Sequence, residues 1–91
     1  MNDEMNFITF KYFLECYFNP SANYDELDKL MVDFNSFENV GHRKNLHSEL
    51  LVLQLVKFSI MQEFVRKYGM RKMDDEKLKW LIQRMLEKLT R

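Results

Sequence analysis

The stretch Tyr24-Asp25-Glu26-Leu27-Asp28-Lys29-Leu30-Met31-Val32-Asp33-Phe34-Asn35-Ser36-Phe37 decides the fold class. Tyr24, Leu27, Leu30, Met31, Phe34 and Phe37 recur at intervals of three and four, the spacing that places side chains on one side of a helix. Asp25, Glu26, Asp28, Lys29, Asp33 and Ser36 take the other side, and Val32 falls among them as an apolar residue facing water. Asn23 is a good cap, and acids in the first turn suit the positive end of the helix dipole. The spacing predicts a helix over 24–36 that frays into a loop across Asn35 to Asn39.

Working outward, the same periodicity predicts four more helices. Over 5–18, Phe7, Phe10, Phe13, Leu14, Tyr17 and Phe18 share a broad face, while Ile8 and Tyr12 fall off it. Asn19-Pro20-Ser21 ends that helix, because the residue before proline avoids the helical region. The segment 41–56 begins polar and is apolar nearly all round after Leu50, the pattern of a helix in the middle of a bundle. Ser59 with Gln62 reads as a capping box and favours a break near Lys57; the alternative is one long rod through both segments, which would leave Leu51, Val52 and Phe58 hard to cover. A short helix then runs over 60–68, with Phe64, Val65 and Tyr68 inward, and Gly69 stops it. The last helix covers 74–90, capped by Asp74, with Leu78, Leu81, Ile82, Met85, Leu86 and Leu89 on one stripe and Trp80 beside it. The fold expected is an all-α bundle of five helices forming a single domain over 1–91.

Composition agrees with that fold and narrows function. Ninety-one residues with 46% hydrophobic and 31% charged side chains make one globular domain. Two glycines and one proline are too few for an all-β chain or for a phosphate-binding glycine loop. The lone Cys16 allows no internal disulfide, the start Met1-Asn2-Asp3-Glu4 is acidic where a signal peptide is basic, and the longest apolar run, Leu50 to Val56, is far short of a bilayer span. A soluble protein of the reducing cytoplasm, with no membrane association, is expected. His42 and His47 stand five apart and cannot meet one metal from a regular helix. They read as exposed or capping residues, and Cys16 as a semi-buried thiol. Helix starts account for the paired acids Asp25/Glu26 and Asp74/Asp75. No enzyme chemistry, no metal and no cofactor is expected. Met31, Met61 and Met85 read as core, Met70 and Met73 as exposed.

Zero net charge conceals an asymmetry. Residues 1–40 sum to −6 and residues 41–91 to +6. Either a charged face meets a charged partner, or the two halves attract one another. The cations Arg66, Lys67, Arg71 and Lys72 cluster around Gly69 and loosely resemble a helix-turn-helix setting. The acids Asp74, Asp75 and Glu76 would repel phosphate at the start of the following helix, so no direct nucleic-acid contact is expected.

The order of features carries a resemblance. Tyr17-Phe18-Asn19 precedes the acid-rich helix 24–36; a helix with Glu49-Leu50-Leu51 follows, then a short helix ending Tyr68-Gly69, then a helix with Lys79-Trp80-Leu81. This arrangement, from Phe7 to Leu89, resembles the contact-dependent growth-inhibition immunity proteins. Asn19-Pro20-Ser21 departs from it, since histidine or glutamine and aspartate often follow the tyrosine-phenylalanine pair there. The resemblance implies a cytoplasmic protein that binds the toxic domain, commonly a nuclease, of a cognate toxin and blocks it stoichiometrically, as a monomer in the complex. Nucleases are usually basic, so the residues themselves point to the outer side of the second helix as the toxin-binding face: Asp25, Glu26, Asp28 and Asp33, with Val32 and Tyr12 as apolar contacts. A helical adaptor without a toxin partner, or a nucleic-acid-binding domain, are the competing readings.

Overall fold

A computed structural model describes residues 7–90. Five α-helices follow in order: α1 (Ile8–Cys16), α2 (Leu27–Phe37), α3 (Val40–Leu53), α4 (Phe58–Gly69) and α5 (Asp75–Lys88), with a 3-10 turn (Tyr24–Glu26) leading into α2. The all-α bundle expected from periodicity is the fold observed, and no strand occurs among the described residues. The first two residues of the expected first helix, 5 and 6, lie outside the described residues.

Helix α5 is the hub. It packs against α2, α3 and α4, while α1 packs against α3 and α4. This corrects the expectation that α3 fills the middle. Only Leu46, Leu50 and Leu53 of α3 are buried, one narrow stripe at spacings of four and three; Leu51 and Val52 are about half exposed and Leu55 is 87% exposed. An apolar run just before a helix end has too little helix left to be covered on every side.

Aromatic rings fill the space between α1 and its neighbours. Phe10, Phe13, Leu14 and Phe18 are fully buried with Phe34, Leu46, Leu78, Leu81 and Met85. The Phe13 ring stacks on Tyr17 at 5.7 Å and meets Phe34 edge-on at 5.8 Å, and Phe10 stacks on Phe64 at 5.8 Å. The chain leaves α1 two residues earlier than expected. The Tyr17 and Phe18 amides both donate to the Phe13 carbonyl at 2.9 Å, a widened last turn that drives Phe18 inward.

Helix ends are tied down by residues distant in sequence. Glu49 of α3 accepts from the backbone amides of Thr9 (3.2 Å) and Phe10 (2.8 Å), so a carboxylate from another helix caps α1. Of the loop expected over 35–39, only Glu38 and Asn39 leave the helix; 35–37 stay helical. Arg43 donates to the carbonyls of Glu38 (2.7 Å) and Asn35 (3.3 Å), closing the C-terminal end of α2, and Asn39 accepts from the His42 amide at 2.9 Å to start α3. The Asn35 amide donates to the Lys88 carbonyl and its oxygen accepts from the Thr90 amide, both at 2.9 Å. Asp74 caps α5 as expected, accepting from the Lys77 amide at 2.8 Å.

The break near Lys57 is present, but the Ser59/Gln62 box is not. Helix α4 begins at Phe58 with Lys57 at its N-cap and no side-chain cap, and Gln62 instead donates to Asp75 at 3.1 Å, joining α4 to α5. At the other end, Gly69 stays helical and Met70 takes the left-handed conformation (φ 54, ψ 37). Gly69 is closely packed: a Cβ there would touch Leu14 Cδ2 at 3.4 Å, so a side chain larger than alanine would press on Leu14. Met70→Gly is therefore expected to stabilise the protein by about 1 kcal/mol by removing left-handed strain, and Gly69→Leu to destabilise it, both measured as shifts in urea midpoint. A midpoint that falls on introducing glycine at 70 contradicts this account of the turn. Met73, expected at the surface, is buried at 3% exposure.

Candidate interaction surface

The six residues singled out from sequence lie along α2 and at its two ends. Asp25 is exposed in the turn before α2. Glu26 is half-buried and accepts from the Asn23 amide at 2.7 Å, so it shapes the entry to the helix. Asp28 receives both arms of Arg84, Nε at 2.8 Å and Nη2 at 2.7 Å, which ties α2 to α5. Val32 is 60% exposed, as its place in the pattern predicts. Asp33 is half-buried, and neither it nor Asp25 has an ion-pair partner among the described residues. Tyr12 sits on α1, half a bundle away in sequence, yet reaches the far end of α2 because its hydroxyl donates to Glu38 at 2.8 Å.

The attraction between the halves is thus real at one point. Asp28 carries part of the N-terminal negative charge and Arg84 neutralises it, the hydrogen bond from Arg84 holding the Asp28 carboxyl below its ordinary value. What remains available on the outer side of α2 is Asp25 and Asp33 with Val32. Sequence reading missed Phe37, which it placed inward. Phe34 already occupies the core position and the helix stops at 37, leaving Phe37 76% exposed one turn beyond Asp33. Val40, at the start of α3, is 50% exposed. The signal for Phe37 lay in Asn35-Ser36 and the turn that follows, where the period of the helix no longer applies.

Glu38 was also missed. Its carboxylate accepts from the Tyr17 hydroxyl (2.5 Å), the Tyr12 hydroxyl (2.8 Å) and His42 Nδ1 (2.8 Å), joining α1, α2 and α3 at one point with only 10% of its side chain exposed. An ionised carboxylate only accepts, so His42 carries its proton on Nδ1. The Tyr17 hydrogen bond, more than any other contact, holds the Glu38 carboxyl below its ordinary range. Burial first, then the same hydrogen bond, pushes the Tyr17 hydroxyl far above its ordinary value of 10.0. The signs follow from linkage. A lowered carboxyl stabilises the fold above the unfolded value of about 4.3 and loses that contribution as pH falls; a raised phenol stabilises it below about 10 and loses it as pH rises further. Melting temperature plotted against pH is expected to fall on both sides of this window. Tyr17→Phe is expected to flatten both limbs, and alkaline limbs of equal steepness in the two proteins would count against the Tyr17–Glu38 bond.

Cys16, expected to be semi-buried, is exposed. Among the described residues no group of three or more His, Cys, Asp or Glu side chains is placed to hold a metal ion, and no helix is long and apolar enough to cross a membrane. In the basic cluster around Gly69, Arg66 is held by Glu63 (Nη2 at 2.8 and 2.9 Å), and Arg71 donates to the carbonyls of Asn19 (2.6 Å) and Ala22 (2.8 Å). Two of that cluster's cations therefore serve the fold.

Comparison with known protein families, with curated proteins and with solved structures finds no match.

Proposed function

We propose that the chain is an immunity-type inhibitor that binds the toxic domain of a cognate contact-dependent toxin in the cytoplasm and blocks it one to one. The motif order from Tyr17-Phe18 to Trp80-Leu81 supports the family reading. The observation that carries the mechanism is the outer side of α2, where Asp25 and Asp33, without internal ion pairs among the described residues, accompany the protruding Val32 and Phe37. Apolar anchors within an acidic rim suit a basic, phosphate-handling protein: the acids speed encounter and the anchors slow release. Phe37 joins this face as its largest apolar contact, and Asp28 leaves it because Arg84 neutralises it. A nuclease is the toxin class that this charge favours.

The test is co-expression with the toxin domain encoded beside this chain, followed by copurification and a growth-protection assay. A stable complex is expected. Asp25→Lys with Asp33→Lys should slow association about tenfold or more, and Phe37→Asp should abolish protection while the helical signal is retained. Full protection by both folded variants would remove α2 as the working surface. No complex with the neighbouring gene product would remove the immunity reading itself.

A further inference from the structure

Around the α3–α4 turn, Leu51, Val52, Leu55, Phe58 and Ile60 are between 39% and 87% exposed. Soluble monomers rarely leave so many large apolar groups in one short stretch. Phe58 also lines a groove of about 230 Å³ with Leu53, Met61 and Ile82, and Lys79, Gln54 and Gln83 complete the lining. A cavity of about 150 Å³ holds a benzene ring, so this groove takes one aromatic side chain or two aliphatic ones. It opens between helices, with the end of α3 and the start of α4 on one side and α5 on the other. No strand edge is offered among the described residues, and an apolar slot between helices is the form of site that receives an amphipathic helix.

Charge narrows the kind of helix. No acid lines the groove. Lys57 and Lys79 stand exposed beside it, and neither has an ion-pair partner among the described residues. Helix α4 starts there without a side-chain cap and without an acid in its first turn, so the positive end of its dipole is uncompensated. Positive groups around an apolar slot select an occupant whose apolar anchors are flanked by acids. A second copy presenting the same corner would set lysine against lysine, so the occupant is a different surface.

We propose that the α3–α4 corner is a docking site for an acidic amphipathic helix of a partner protein. Its apolar stripe lies over Leu55 and Phe58 and enters the groove, and its carboxylates meet Lys57, Lys79 and the start of α4. The site is separate from the outer side of α2. Arg84 of α5 reaches α2 through Asp28, and Ile82, which lines the groove, lies about 160° away from it around the α5 axis. The two surfaces also take opposite charges, so one chain can hold a basic partner on α2 and an acidic one at the corner. The inference stands whether or not α2 binds a toxin.

The experiment is fluorescence anisotropy on the full chain with two labelled synthetic helices of about 15 residues, a length at which a helix can form in water. Both carry leucine at spacings of three and four; one has glutamate and alanine elsewhere, the other lysine and alanine. The glutamate helix is expected to bind with a dissociation constant of about 1–100 µM, more weakly as salt is added. The lysine helix should bind at least about tenfold more weakly. Leu55→Asp, at a side chain 87% exposed, should keep the helical signal and weaken the glutamate helix at least about tenfold. Lys57→Glu with Lys79→Glu should do the same and reverse the preference between the two helices. Amide NMR shifts on binding should concentrate at residues 51–61 and 79–83 and spare 25–37. No binding of the glutamate helix at about 1 mM, equal binding of the two helices, or shifts centred on α2 overturns the proposal. So does a chain that sediments as a dimer until Leu55→Asp is introduced, since a second copy then covers the corner.

Discussion

Phe13→Ala is expected to cost about 3–5 kcal/mol, a large part of the total stability of a domain this size, roughly 5–15 kcal/mol. Phe13 has no accessible surface, and its ring is enclosed by Tyr17, Phe18 and Phe34, with centroids 5.7, 6.5 and 5.8 Å away. Alanine leaves a ring-sized void between α1 and α2, and the void cannot collapse easily. Glu49 pins one end of α1, and Glu38 pins the other end through Tyr17. The loss should lower the melting temperature by about 15–30 °C. It should exceed that of Phe37→Ala, a residue of the same type three-quarters exposed on α2. Equal losses at 13 and 37 would contradict the packing described.

Arg71→Ala is expected to cost about 2–4 kcal/mol, although sequence alone places Arg71 in a surface cluster of cations. Its guanidinium lies 4.0 Å from the centre of the Phe18 ring and 5.3 Å from that of Tyr24, and its Nη2 donates to the carbonyls of Asn19 and Ala22. It is the contact that holds the loop between α1 and the 3-10 turn. Truncation removes a stacked cation and the donor to the Ala22 carbonyl, while the Asn19 carbonyl keeps the Ala22 amide at 2.9 Å. Arg71→Lys should recover part of the loss, because an ammonium can donate to a carbonyl but does not lie flat on a ring. Amide exchange should speed up across residues 19–24 before it changes elsewhere. Uniform acceleration throughout the molecule would argue against a local clamp.

These positions mark what the sequence conveys and what it conceals. Helices α2 and α5 were legible because each sustains a 3.6-residue period for three turns or more behind a capping residue, Asn23 or Asp74. The buried face of α1 was legible for the same reason. Features set by a distant partner were not. Glu49 reads as a surface acid of α3 until Thr9 and Phe10 are placed beside it, and Gln62 reads as half of a local box until Asp75 is. Gly69 advertises a left-handed stop, yet the demand on that position comes from Leu14, and the stop falls one residue later. At the candidate surface, periodicity found Val32, Asp25 and Asp33. It could not reveal that Asp28 faces Arg84, which lies 56 positions further along, or that Phe37 stands beyond the last covered turn.

The position of α5 as hub has a consequence for the order in which the protein forms. Its residues are the last of the five helices to be synthesised, yet α2 has its main packing partner there. On a ribosome adding about 5–20 residues per second, α1, α3 and α4 have their contacts with one another available first. The acidic segment can cover Phe34 with Phe13 and Tyr17 at once, but it waits several seconds for its packing against residues 75–88. During that interval the rest of its apolar stripe is open to whatever else the cell offers, and the rate of translation past Met73 governs how long the exposure lasts.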